Sequence, residues 1–120
     1  MSIEATVYTA LSADGGMIAL VNDRIYPMIA PDETADPYIV YTLISGENLI
    51  SFSGVSTLER GLFQFDCYAT SSVAARALSD YTITAIQANS SLGLGDISRR
   101  LDYFQETRLF NSSVDLSIWE

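Results

Sequence analysis

Between Arg60 and Leu78 the chain changes its period. Phe63, Phe65, Cys67 and Ala69 occupy every second position, with Leu62, Gln64, Asp66 and Tyr68 between them, which is the alternation of a strand with one buried face. Ser71 or Ser72 can then cap the amides of a new helix. In that helix Ala74, Ala77, Leu78, Tyr81 and Ala85 fall at helical spacing through to Gln87. A second clean alternation runs from Asn111 to Trp119, with Val114, Leu116 and Ile118 on one face and Ser113, Asp115, Ser117 and Trp119 on the other. It is followed only by Glu120, and we expect it to pair within the sheet. Tyr38 to Ser45, YIVYTLIS, is apolar on both faces and rich in β-branched and aromatic residues, as a central strand would be.

The remaining segments are shorter. Ser2 can cap a first helix whose stripe is Ile3, Val7, Ala10 and Leu11, ending before Asp14, Gly15 and Gly16. Met17 to Val21 reads as a turn or two of helix, and Ile25 to Met28, interrupted by Pro27, as a short edge strand. Ala30 to Asp36, bounded by Pro31 and Pro37, is an acidic exposed loop. Gly46 to Thr57 is either a hairpin that prolongs its flanking strands or a mobile loop with apolar tips. Ile97 to Phe104, of mixed character, belongs near an edge. The expected fold is α+β: residues 1–120 as one domain, with a mainly antiparallel sheet of four or five strands and the two longer helices on one face.

Composition narrows the function classes. Fifteen acidic and six basic residues among 120 give a net charge of -9, and every basic residue is arginine. No basic arm is present to neutralise phosphates, so nucleic-acid binding by counterion release is not expected. Cys67 is the only cysteine; an internal disulfide is excluded, and its place on an apolar strand face predicts a packed thiol. No stretch of about eighteen apolar residues and no basic start with an apolar run occurs, so we expect neither a membrane span nor secretion.

The chain has no histidine, which removes Ser-His-Asp and Cys-His pairs and the commonest metal ligand. Leu92 to Ile97, LGLGDI, places its G-x-G after a helix, whereas a dinucleotide site wants it after a strand. Asp32, Glu33 and Asp36 are close in sequence without an EF-hand spacing, and a solvated loop is the simpler reading. Arg99 and Arg100 are expected to pair with local acids such as Asp96 and Asp102. Trp119 is either a partner anchor or a cover for the sheet beneath the first helix. No catalytic residue, cofactor or metal ligand is expected.

Four segments, in order, resemble the tail completion or tail terminator proteins of long-tailed phages and gene transfer agents. VNDRIYPMIAP, Val21 to Pro31, is similar to that family's G/N-D-R-I-Y-P, which leads into a proline-bounded loop. DPYIVYTLISG, Asp36 to Gly46, resembles its P-Y-I/V-V-Y strand. FQFDCYATSSVAARALSD resembles its V-Q-V-D-C-Y-A strand end and A-R-A-L helix, and SSVDLSIW, Ser112 to Trp119, its closing S-x-D-F/L-x-V/I-W strand. Glu47 to Thr57 and Asn89 to Asn111 match no family pattern.

The resemblance implies a virion structural protein without catalysis. Its relatives form a hexameric ring on the head-proximal end of the tail tube, assembled in the host cytoplasm, where they end tube growth and meet the head connector. The implied partners are other copies of the chain, the tail tube protein and the connector or stopper protein, with DNA passing through unbound and no membrane involved. Leu49, Ile50, Phe52, Val55 and Trp119 are then candidate contacts to a subunit or the tube. Asp32, Glu33, Asp36 and Glu47 are candidates for an acidic lumen or loop. A head-closure ring and a small non-catalytic binding module are the alternatives.

Overall fold

A computed structural model of the chain describes residues 3–31, 34–35, 37–50 and 57–120, the side chains of 47–50 and 57–58 excepted. In chain order the elements are α1 (Ile3–Ala13), α2 (Gly15–Val21), β1 (Ile25–Pro27), β2 (Tyr38–Ile50), β3 (Thr57–Ala69), α3 (Ser72–Ala88), β4 (Gly93–Phe104) and β5 (Leu109–Trp119). The strands form one sheet in the order β1-β2-β3-β5-β4. The fold is α+β as expected, but the sheet is mixed, because β1 runs parallel to β2 while every other pair is antiparallel.

The expected alternations set which side of the sheet is buried. Phe63, Phe65 and Cys67 of β3 lie opposite Leu116, Val114 and Ser112 of β5 on one side and Leu43, Tyr41 and Ile39 of β2 on the other. These rungs face the helices. They join Ile3, Val7 and Leu11 of α1, Met17 and Val21 of α2, and Leu78 and Ile86 of α3 in one hydrophobic core. Burying a large side chain there contributes about 1.5–3 kcal/mol each. Gly61 is required where this core narrows: a Cβ at that position would stand 2.9 Å from both Leu43 and Phe63. The adjacent bulge between Leu43 and Ser45 lets β2 pass this tight spot.

The ends of the helices are closed by identifiable groups. Ser71, not Ser72, caps α3, accepting from the amide of Ala74 at 3.1 Å. Asp14 caps α2 through the amide of Met17. Ser2 lies outside the described residues, but Glu59 of β3 accepts from the amide of Ile3 at 3.2 Å, so a carboxylate reaches the positive end of α1 from the sheet.

Three expectations are corrected. The buried stripe of α3 is Ala75, Leu78, Ser79, Thr82, Ile83, Ala85 and Ile86, rotated from the predicted one. Ser79 and Thr82 fit inside because their hydroxyls donate back to the carbonyls of Arg76 and Leu78. Tyr81, predicted to be internal, is exposed. The central strand is β3, whereas β2 is flanked on its outer side by β1 for only Ile39 to Tyr41. β4 begins at Gly93, four residues earlier than expected, and is an edge as predicted.

Candidate interaction surface

Among the described residues no helix lies on the other side of the sheet. Its residues form rungs across β2, β3, β5 and β4: Tyr38–Tyr68–Asn111–Asp102, then Val40–Asp66–Ser113–Arg100, then Thr42–Gln64–Asp115–Ser98. Because β-strand side chains alternate, these are the residues between the core positions. The face is polar along its centre and aromatic at one end. The rings of Tyr38 and Tyr68 stack with centroids 4.8 Å apart, and Phe104 lies 6.3 Å from Tyr68.

Although no helix covers it, part of this face is closed to solvent by its own neighbours. Asn111 is 5% and Ser113 2% exposed. Gln64 donates to both carboxylate oxygens of Asp66, and the amide nitrogen of Asn111 donates to one of them at 3.5 Å. That leaves Asn111 Oδ1, Ser113 Oγ and Asp115 Oδ1 buried without a hydrogen-bond partner. Groups of this kind are rare, and each calls for an explanation.

At the aromatic end the chain after β1 folds over the face. Met28 has φ 66, uncommon for a residue other than glycine. Its amide bonds to the carbonyl of Tyr41 at 2.8 Å, while Met28 and Ile29 are 74% and 80% exposed. Between this segment and the sheet lies a cleft of about 580 Å³ lined by Met28, Ile29, Tyr38, Val40, Asp66, Tyr68 and Leu109, among others. Burial, reinforced by Asp66, pushes the Tyr68 phenol up to about 12, so the ring is a neutral donor at ordinary pH.

At the opposite end of the open face stands Trp119. Its neighbours across the strands are Arg60 and Gly93, and the Arg60 guanidinium lies 4.8 Å from its ring centroid, a cation–π distance. Trp119 therefore does not cover the sheet beneath α1; that alternative is excluded by the register. Leu49 and Ile50 pair with Leu58 and Thr57, so the hairpin alternative holds up to that point. Phe52 and Val55 lie outside the described residues, as do Asp32, Glu33 and Asp36. Glu47 is placed by its backbone opposite Arg60.

The arginines are largely matched. Arg100 binds Asp102 at 3.2 Å as predicted, whereas Arg99 reaches across to Asp80 of α3 at 2.6 Å instead of Asp96. The hydrogen bond from Arg99, aided by Arg76, holds the Asp80 carboxyl below its ordinary value. Cys67 is fully buried, 3.8 Å from the Thr82 hydroxyl, and burial pushes its thiol up to about 12, as fits a packed and unreactive group. Among the described residues no group of three or more His, Cys, Asp or Glu side chains gathers as a metal site, and no helix is long and apolar enough to cross a membrane.

Sequence reading named Trp119 and the two loops as contact residues. It missed the Tyr38, Asp66, Tyr68, Asn111 and Ser113 constellation, whose members are polar positions of three separate strands. The only signal was the aromatic and acidic character of the solvent-side alternation in FQFDCYA.

A family model described as tail completion protein gp17 matches residues 5–120. No curated protein matches the chain. Among solved structures, a chain from the virion of native gene transfer agent (GTA) particle is similar with a TM-score of 0.69 at 17% identity. That match covers 98% of this chain and 93% of the other, and at such identity it is a likeness of fold.

Proposed function

Since the chain belongs to the tail completion protein gp17 family, we propose that it forms a hexameric ring that caps the head-proximal end of the tail tube, stops tube growth and receives the head connector. Family membership already makes it a structural protein of the phage tail, located in the virion. The observation that carries the finer reading is the span of the family match, residues 5–120, which takes in every strand and nearly all of α1.

The shape is suited to a ring. The molecule measures 52 × 25 × 24 Å. Among the described residues β4 is paired only with β5, and β2 has no outer strand beyond Tyr41. The two incomplete edges lie on opposite sides of one sheet, and unlike surfaces that join head to tail close into a ring when the rotation permits. Leu49, Ile50, Phe52 and Val55 of the hairpin and Trp119 at the end of the open face are the contacts we assign to a neighbouring subunit or the tube. Asp32, Glu33, Asp36 and Glu47 are assigned to the lumen, where negative charge would let DNA pass without phosphate contacts. In this reading the chain carries no catalytic step.

The test is to mix the purified protein with tail tubes and image the ends. Six-fold rings at one tube end, with tubes ceasing to elongate, are the expected result. Tubes that remain bare and continue to grow would overturn the reading. A monomer in free solution decides nothing, because ring contacts can form on the tube as template.

A further inference from the structure

We propose that copies of the chain join strand to strand, the β4 edge of one pairing antiparallel with the free outer edge of β2 of the next. This rests on the reading that copies associate into a ring, and it names the strands that meet. Among the described residues β4 pairs only with β5, so a row of backbone N–H and C=O groups faces outward along its free side. Edge strands are commonly guarded by proline, lysine or a bulge. Residues 97–104 contain neither proline nor lysine, and the irregularity of β4 falls before them, between Leu94 and Ile97. Arg99 and Arg100 are each held by a carboxylate, from Asp80 and Asp102. What the edge presents instead is apolar. Ile97, Leu101 and Tyr103 are 45%, 54% and 47% exposed, and all three lie on the helix side of the sheet, opposite Leu116, Ser112 and Phe110. A long edge of this kind is a template for another strand.

Number, direction and charge select the occupant. Each copy has one β4 edge and one stretch of β2, residues 42–50, with no outer strand among the described residues, so a single contact between unlike edges closes both. At about 3.3 Å per residue the two stretches are each roughly 25–30 Å long. Within the sheet β2 and β4 run antiparallel to each other, so a neighbour in the same orientation continues the sheet by antiparallel pairing. Charge separates this pairing from the like-with-like ones. Residues 70–108, which include α3 and β4, carry four arginines against four acids, whereas residues 1–69, which include β2, carry two against nine. Pairing β2 with β2 would bring two strongly acidic halves together. Pairing β4 with β4 would bring Arg99 and Arg100 of both copies together and leave β2 open. The unlike pairing sets the arginine-bearing edge against the acidic half. Aligned end to end, residues 97–104 and 42–50 place Tyr103 close to Ile44, which is 51% exposed beside the bulge of β2.

The test is photo-cross-linking of the full chain with p-benzoylphenylalanine in place of Tyr103, both free at millimolar concentration and mixed with tail tubes, with the linked residues mapped by mass spectrometry and the particles imaged. Cross-links to residues 42–50 of a second copy are the expected result. Such links in particles without six-fold symmetry would break the ring reading and leave the strand pairing standing. Six-fold rings whose links run to β4 of a second copy, or only to the tube protein, would overturn the pairing and leave the ring. No link between copies in either condition also overturns the pairing. In the same background Leu101→Lys places a charge on the exposed edge, the usual guard against strand addition. It should keep the thermal unfolding of its parent while the yield of linked pairs falls severalfold, and an undiminished yield would count against the pairing. Should that variant lose its fold, the map obtained without it still decides.

Discussion

One sheet presents two faces built from alternate residues of the same strands, and they obey different rules. On the helix side, Phe63, Phe65, Val114, Leu116 and Ile118 are 0% exposed, and the buried hydroxyls of Ser79 and Thr82 donate to α3 carbonyls. On the open side, one residue along each strand, Asn111, Ser113 and Asp115 keep polar atoms that find no hydrogen-bond partner among the described residues. The first face is complete in itself. The second leaves three buried polar atoms without a partner among the described residues, the kind of imbalance that folded cores avoid.

The widest gap between the faces should appear on truncation. Phe63→Ala should destabilise the fold by about 3–5 kcal/mol through lost burial and the cavity left behind. Gln64→Ala, the next residue but on the open face, should cost less than about 1 kcal/mol. Denaturant unfolding of the two variants checks this, and comparable losses would break the contrast.

A smaller difference concerns alkaline pH. The Cys67 thiol, ordinarily near 9.0, is pushed up to about 12 in the fold by burial. The raised value means its contribution is fully present below pH 9 and is lost as pH rises toward about 12, because the unfolded thiol ionises first. At pH 10 the loss is on the order of 1 kcal/mol. Cys67→Ala should therefore flatten the decline of stability between pH 8 and 10, read as the slope of unfolding free energy rather than its absolute value. A slope equal to that of the natural chain would place the alkaline weakness elsewhere, with Tyr68 on the open face, also raised to about 12, the next group to replace.

The smallest expected effect is the most pointed. Ser113 is 2% exposed and its hydroxyl is unpartnered, so Ser113→Ala should change stability by no more than about 0.5 kcal/mol, with a slight gain favoured. A buried hydroxyl engaged within the fold would instead cost about 1 kcal/mol or more on removal. Thermal and denaturant unfolding of the free protein distinguish the two outcomes, and a clear loss would remove the contrast between the faces.

Much of this architecture was legible in the chain because its signal is local. The two-residue alternations in FQFDCYA and SVDLSIW are the outcome of strand geometry, and both place the same residues in the core that the structure does. The stripe of α3 was misread because Ser79 and Thr82 look polar, yet each satisfies its hydroxyl on the preceding turn and so packs as a small residue. Tyr38 to Ser45 looked central because both of its faces are apolar. Val40 earns its place on the open side at 7% exposed, beside the cleft, without a full strand on its outer edge.

The sequence alone determined the α+β class, the core positions of β3 and β5, the packed state of Cys67 and, through four ordered motifs, the tail completion family. Periodicity carries that much because a side chain's direction follows from its own backbone. Strand order, the parallel pairing of β1, the side of the sheet on which Trp119 lies and the meeting of Tyr38, Asp66, Tyr68, Asn111 and Ser113 were decided by tertiary structure. Register between strands distant in sequence is a property of how the whole sheet buries one face, and the cleft exists only where three such registers coincide under the segment after β1.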